Sequence, residues 1–291
     1  MRRITLKSRG RPAVSRIVLI TGCSSGIGAA CAARFAANGD TVYATARRAE
    51  SLAALGGLGC RTRALDVTLP ASIDRVVAEI EASHDGVDVL INNAGYGQQG
   101  AFEETSLDAF RAQLETNLIG AIAVTQRVLP GMRARRRGRI LMMSSMGGRL
   151  SFPGGAAYHA SKYALEAASD VLRFEVARFG IDVVIVEPGL VASRYGETSL
   201  ARLAGGELHA YARFTAGLRA ALTRSFTGEV EGASSPEEVA TACFEAASAS
   251  PAPTRVVVGA MAEKLIGLRA RASDPDWDAL LETMYPRPEP D

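Results

Sequence analysis

The β-branched run Ile17-Val-Leu-Ile20 passes directly into Thr21-Gly-Cys-Ser-Ser-Gly26-Ile-Gly28, and alanine-rich helix formers follow to Asn38-Gly39. Strand, glycine loop and helix in immediate succession constrain the fold more than any other stretch, because such a unit continues naturally into a second, parallel strand. The glycines let the backbone approach a bound group closely. The first helical turn leaves N–H groups and a positive dipole end without partners. A pyrophosphate suits that place; an ordinary glycine-rich turn is the plainer alternative.

The alternation continues. Thr41-Val-Tyr-Ala-Thr-Ala46 reads as the second strand, Cys60-Arg-Thr-Arg-Ala-Leu-Asp66-Val67 as the third, and Val87-Asp-Val-Leu-Ile91 as the fourth, leading into Asn92-Asn-Ala-Gly95. Between them Ile73, Val76, Val77 and Ile80 form a helical core stripe, whereas the helix after Arg48 is only weakly written. The βαβαβαβ order predicts a doubly wound α/β fold, a parallel sheet with helices on both faces and ligands at the carboxyl ends of its strands. A long helix is predicted from about Leu107 to Arg137, then a strand at Ile140-Leu-Met-Met143, a helix to Phe179-Gly180, and a sixth strand, Ile181-Asp-Val-Val-Ile-Val186, ending in Glu187-Pro188-Gly189. The pattern loosens from about 190 to 235, a substrate-loop region with helical pieces around Leu200–Arg224, before the helix start Ser234-Ser-Pro-Glu-Glu238 and a last strand, Arg255-Val-Val-Val258. One domain is expected over 15–284, with a disordered basic extension at 1–14 and a loose proline-rich tail at 285–291.

Composition narrows the classes. A net charge of +2 and 47% hydrophobic residues describe a globular chain with no call for nucleic acid. Arg133, Arg135, Arg136, Arg137 and Arg139 lie at a predicted helix end, where they match the dipole. The four cysteines and three histidines show no metal-ligand spacing, and the free thiols suit a reduced, cytoplasmic setting. No apolar run approaches the roughly 18 residues that span a bilayer, so no membrane is expected.

The chemistry gathers in Ser145-Met-Gly-Gly-Arg-Leu-Ser-Phe-Pro-Gly-Gly-Ala-Ala-Tyr158-His-Ala-Ser-Lys162. Residues i and i+4 share a helix face, so the Lys162 ammonium lies near the Tyr158 phenol. A nearby cation lowers a tyrosine pKa from about 10, and a serine at a strand end can hold a reacting oxygen. Such a trio suits proton transfer at an alcohol or carbonyl oxygen; alone, Tyr-x-x-x-Lys also fits a solvated helix face. Asn117, inside an otherwise apolar helix, reads on its residues alone as a satisfied core amide. At the end of the second strand, where an acidic residue grips a ribose 2′-hydroxyl in NAD-binding units, the chain has Ala46-Arg47-Arg48. Guanidinium groups there suit a 2′-phosphate, which favours NADP(H), with NAD(H) as the alternative. Asp66 suits an adenine amine.

Thr21-Gly22-x-x-x-Gly26-Ile27-Gly28, Asp66, Asn92-Asn93-Ala94-Gly95, Asn117, Ser145, Tyr158-x-x-x-Lys162 and Pro188-Gly189, in this order and spacing, resemble the short-chain dehydrogenase/reductase family over about residues 15–195. The resemblance implies a Rossmann fold of about seven strands, a nicotinamide dinucleotide, and hydride transfer at a carbonyl or secondary alcohol. It assigns catalysis to Asn117, Ser145, Tyr158 and Lys162, with Asn117 holding a relay water and Lys162 the nicotinamide ribose. It places the cofactor against Gly22, Ser24, Ser25, Gly26, Ile27, Gly28, Arg47, Arg48, Asp66, Val67, Asn93, Ala94, Gly95, Tyr158, Lys162, Pro188, Gly189, Val191 and Ser193. The loop and second strand look most like hydroxysteroid and retinol dehydrogenases. Tyr96, Gln98, Met146, Leu150, Phe152, Leu190, Tyr195 and Phe214 are the expected pocket residues, mostly apolar, which suits a bulky steroid-, polyketide- or terpenoid-like ketone. Reduction of small aldehydes or sugar-like carbonyls, and a non-catalytic NADP(H)-binding sensor, are the alternatives. A homodimer or homotetramer through the helices at about 107–136 and 156–179 is expected.

Overall fold

Seven parallel strands, β1 (Ile17–Ile20), β2 (Thr41–Ala46), β3 (Arg61–Ala64), β4 (Val89–Asn92), β5 (Gly138–Met143), β6 (Ile181–Pro188) and β7 (Arg255–Val258), form one sheet in the order β3-β2-β1-β4-β5-β6-β7. This computed structural model describes residues 15–193, 195–226, 232–285 and 287–288. The strand order reverses where β1 meets both β2 and β4, with Val18 paired to Val42 and to Val89. A crevice opens at such a switch point, beyond the carboxyl ends of the strands.

Helices cover both faces: α1 (Gly26–Ala37), the five-residue α2 (Ala53–Gly57), α3 (Pro70–Ser83), α4 (Leu107–Leu114), α5 (Gly120–Arg135), α6 (Ala156–Val176), α7 (Tyr195–Ala201), α8 (His209–Phe226), α9 (Pro236–Ser248), α10 (Ala260–Arg269) and α11 (Asp274–Met284). Alternate strand residues point to opposite faces. Val18 and Ile20 therefore pack with Phe35 of α1 and Val239 of α9, while Leu19 joins Val77 of α3, Val124 of α5 and Leu165 of α6. Burial on both faces explains why the strands read as unbroken apolar runs.

The structure adds detail to three expectations. The helix predicted over 107–137 is interrupted by a π-helical turn, Glu115–Ile119, which separates α4 from α5 and carries Asn117. Such turns occur often at functional sites. The helical pieces expected in the loose region are α7 and α8, joined by a two-residue strand, Leu203–Ala204, which pairs in parallel with Gln99–Gly100. Of the arginine cluster, Arg133 and Arg135 stand in the last turn of α5 as expected, while Arg139 pairs with Asp182 at 2.9 Å, Arg137 with Asp88 at 3.3 Å, and Arg135 donates to Val87 O at 2.7 Å. Ser235 caps α9 reciprocally with Glu238, with Pro236 at the first helical position, as its sequence predicts. Tyr285, where the tail was expected to begin, packs on Phe152 with ring centroids 6.4 Å apart. The extension 1–14 and residues 286 and 289–291 lie outside the described residues. Among the described residues no helix is long and apolar enough to cross a membrane.

Candidate active site

The loop after β1 is shaped by two close approaches. Gly22 has φ +74°, and a Cβ there would lie 2.7 Å from Ala94 Cα. At Gly28 a Cβ would come within 2.4 Å of Gly22 O and 2.5 Å of Asn93 Nδ2. Asn93 Nδ2 donates to Thr21 O and Gly22 O at 2.9 and 3.1 Å, and Thr21 Oγ1 accepts from the Asn93 and Ala94 amides. The ends of β1 and β4 are thus stitched into one floor. Ser25, the N-cap of α1, makes no side-chain cap bond, and no acid stands in the first turn. The amino end of this helix faces the crevice as a ready site for an anion.

Ser145 ends the β5 segment and starts a short 3₁₀ turn, its Oγ accepting from Gly147 N at 3.0 Å and donating to Pro188 O at 3.4 Å. Tyr158 and Lys162 occupy the first turns of α6. Lys162 Nζ donates to Met143 O at 2.6 Å and lies 5.8 Å from the Tyr158 ring centroid. Burial lowers the Lys162 ammonium to about 8, opposed by the charge of Glu166 one turn on. The Tyr158 phenol is pushed above its ordinary value, first by burial, with hydrogen bonds from Ser145 and Tyr195 pulling the other way. Spacing alone predicts that the lysine draws the phenol down; here burial dominates the shift, and the Lys162 ammonium donates to the Met143 carbonyl. A protonated phenol is suited to act as an acid.

Asn117 holds both backbone groups of Tyr96, accepting from N at 3.1 Å and donating to O at 2.9 Å, and reaches Ser161 Oγ at 3.3 Å. His159, which the motifs did not single out, pins the loop before α6. Its Nδ1 donates to Gly147 O at 2.9 Å and its Nε2 accepts from Phe152 N at 3.0 Å. Behind Lys162 lies a charge cluster. Arg255 meets Glu166 at 3.2 Å, Asp170 at 2.6 Å and Glu187 at 3.1 Å, and Arg149 also reaches Glu187 at 3.1 Å. Glu166 faces Lys162 and Asp170 along its helix, Arg255 and Glu187 from the sheet, and Ser144. Because Lys162 loses its charge as pH rises through about 8, kcat/KM is expected to show a limb there, and Glu166→Gln should move it to lower pH by removing the opposing carboxylate. A pH profile that stays in place contradicts this coupling.

One cavity of about 630 Å³ joins these groups. Its lining includes Gly22, Ser24, Ser25, Gly26, Ile27, Arg47, Asp66, Val67, Asn93, Ala94, Gly95, Asn117, Ser145, Tyr158, Lys162, Pro188, Gly189, Val191 and Ser193. Of the expected pocket residues, Tyr96, Met146, Phe152, Leu190 and Tyr195 line it. Gln98, Leu150 and Phe214 do not. Gln98 is buried and donates to Arg202 O at 2.6 Å; Leu150 is fully buried; Phe214 packs with Ala101 and Leu218. Arg48 also stays outside, its carbonyl accepting from Ser51 Oγ, and Gly28 acts beneath the loop. Leu218 and Leu222 of α8, Met261 and Leu265 of α10, and Met284 and Tyr285 also line it. No motif marks these residues, which lie far along the chain.

The sheet order and a cleft that gathers serine, tyrosine and lysine beside a glycine loop define a dehydrogenase of the Rossmann type. The chain belongs to the short-chain dehydrogenase family: the sequence model described as short chain dehydrogenase matches residues 16–203. It is an oxidoreductase acting on CH–OH groups. It is 35% identical to estradiol 17-beta-dehydrogenase 1 of Rattus norvegicus over 93% of this chain and 81% of the relative. A solved short-chain dehydrogenase of Streptomyces avermitilis is 37% identical, with a TM-score of 0.79, covering 93% of this chain and 99% of the other. A serine dehydrogenase solved in closed form with NADP+ is 26% identical, with a TM-score of 0.73, over 84% of this chain and 95% of the other.

Proposed function

We propose that the chain reduces a bulky, largely apolar ketone with NADP(H). One observation carries this reading: one cavity is lined both by the glycine loop, Arg47, Ser145, Tyr158 and Lys162 and by the apolar side chains of Phe152, Leu218, Leu222, Met261 and Leu265. The residues fit a dinucleotide. The loop has no room for a Cβ at Gly22 or Gly28, the α1 amino end is uncapped by a side chain, and the Arg47 guanidinium has no ion pair among the described residues. Similarity to a protein solved with NADP+ supports the cofactor class, and similarity to a steroid dehydrogenase supports the shape of the substrate.

Bound there, the dinucleotide supplies a hydride to the carbonyl carbon. The protein's residues do the rest. Ser145 Oγ donates to the carbonyl oxygen and fixes its direction. Tyr158 Oη passes its proton to that oxygen, and the Lys162 ammonium steadies the phenolate left behind. Asn117, held by Tyr96, positions a water that returns the proton through Lys162. The apolar lining excludes water from the reacting group. Copies assemble as a homodimer or homotetramer through α5 and α6, and on α6 the apolar Val171 and Phe174 are 58% and 87% exposed.

NADPH oxidation over a panel of ketones tests the substrate class: turnover should rise with apolar bulk, and a preference for small aldehydes contradicts it. Arg47→Leu should weaken NADP(H) by about tenfold or more, the worth of a charge-assisted bond of about 1.5–3 kcal/mol. NAD(H) should change little. Equal losses for both dinucleotides contradict the role given to Arg47.

A further inference from the structure

The cavity has a second guanidinium. Arg202, between α7 and the strand Leu203–Ala204, lines it with its charge 4.2 Å from the centre of the Tyr96 ring. Both partners are held from behind. Buried Gln98 donates to Arg202 O at 2.6 Å, and its own amide is held by Gln113 Oε1 at 2.6 Å. Tyr96 is gripped by Asn117 on both backbone groups, and Gln113 Nε2 donates to its carbonyl at 2.9 Å. The ribbon pairing Leu203 with Gln99 completes the anchorage.

Among the described residues the Arg202 guanidinium has no hydrogen bond and no carboxylate partner, and the same is true of Arg47. Both charges are felt at the Tyr96 phenol, which burial keeps protonated and neutral. Two unpaired cations thus face one cavity, one from the carboxyl end of β2 and one from the segment after β6. A stacked guanidinium keeps its N–H edge free for planar, bidentate contact with an oxyanion.

We propose that Arg202, braced on Tyr96, is a phosphate clamp for the bound dinucleotide, so that cofactor binding fastens the described segment from α7 to Ala204 against the cleft. The inference rests on the dinucleotide reading above. The phosphate it grips is either the 2′-phosphate, shared with Arg47, or the pyrophosphate beside the glycine loop.

Calorimetric titration of the full chain with NADP+ and with NAD+ tests it. Arg202→Gln should raise Kd about tenfold or more. Loss confined to NADP+ identifies the 2′-phosphate, and equal loss for both identifies the pyrophosphate; either supports the clamp. Tyr96→Leu should give a smaller loss of the same pattern, and Arg202→Lys should retain part of the affinity. Unchanged Kd for both dinucleotides in Arg202→Gln overturns the clamp, whether or not the KM for a ketone rises. An unmutated chain that binds neither dinucleotide refutes the underlying reading and the clamp together. A chain that prefers NADP+ through Arg47 alone refutes the clamp only. Arg202 is exposed, so the melting midpoint of Arg202→Gln should match the unmutated chain and separate lost binding from lost folding.

Discussion

Tyr158→Phe is expected to lower kcat by about two to four orders of magnitude, the range for removing a positioned proton donor, while Kd for the dinucleotide changes little. The substitution deletes one atom. The ring that packs edge-on against His159 at 5.6 Å and Tyr195 at 6.0 Å remains, as does the backbone carbonyl that accepts from Ser161 Oγ at 2.6 Å. Loss of activity with the fold and the binding step intact therefore reports on the proton alone. Retained turnover would remove Tyr158 from the reaction. Equal loss of cofactor affinity would instead assign it to binding.

The second large effect is on stability. Arg255→Met should destabilise the fold by about 3 kcal/mol, near the low end for breaking a buried ion pair because Arg255 keeps some solvent contact. At this chain length that corresponds to a melting midpoint roughly 5 °C lower. Arg255 joins Glu166, Asp170 and Glu187 across two strands and α6, and Glu187 has no solvent exposure. Without it, Glu187 retains, among the described residues, Arg149 as its one cationic partner, and Glu166 loses the ion pair with Arg255. Burial already holds the Glu166 carboxyl above its ordinary value. Its contribution is therefore complete at low pH and is lost as pH rises through the folded value. The deficit of Arg255→Met should be smaller in mildly acidic buffer than at neutral pH, as read by thermal melts; a uniform deficit would show that Glu166 takes no part.

Much of this architecture was legible in the chain because local and global signals agree. The β1 run, its glycine loop and α1 form one unit whose spacing is set by close contact at Gly28, and the i, i+4 relation of Tyr158 and Lys162 survives folding unchanged. The failures are equally physical. Neighbouring residues in extended backbone face opposite ways, so Gln99 lines the cavity while Gln98 turns inward to Gln113 and Arg202. Arg47 and Arg48 divide in the same manner. The π turn at Asn117 carries no composition signal distinct from a regular helix. The apolar lining is assembled from α8, α10 and α11, which meet only in three dimensions. The direction of the Tyr158 shift depends on burial, which spacing does not reveal.

The central claim is that this cleft moves hydride from a nicotinamide to a carbonyl while Tyr158 supplies the proton. NADPH carrying deuterium at the transferable C4 position, incubated with the chain and a bulky ketone, tests it directly by mass spectrometry of the product. The expected result is an alcohol with one deuterium on its carbinol carbon, formed by the unmutated chain and nearly absent with Tyr158→Phe. Tight NADPH binding with no deuterium in any alcohol across the ketone panel would contradict it.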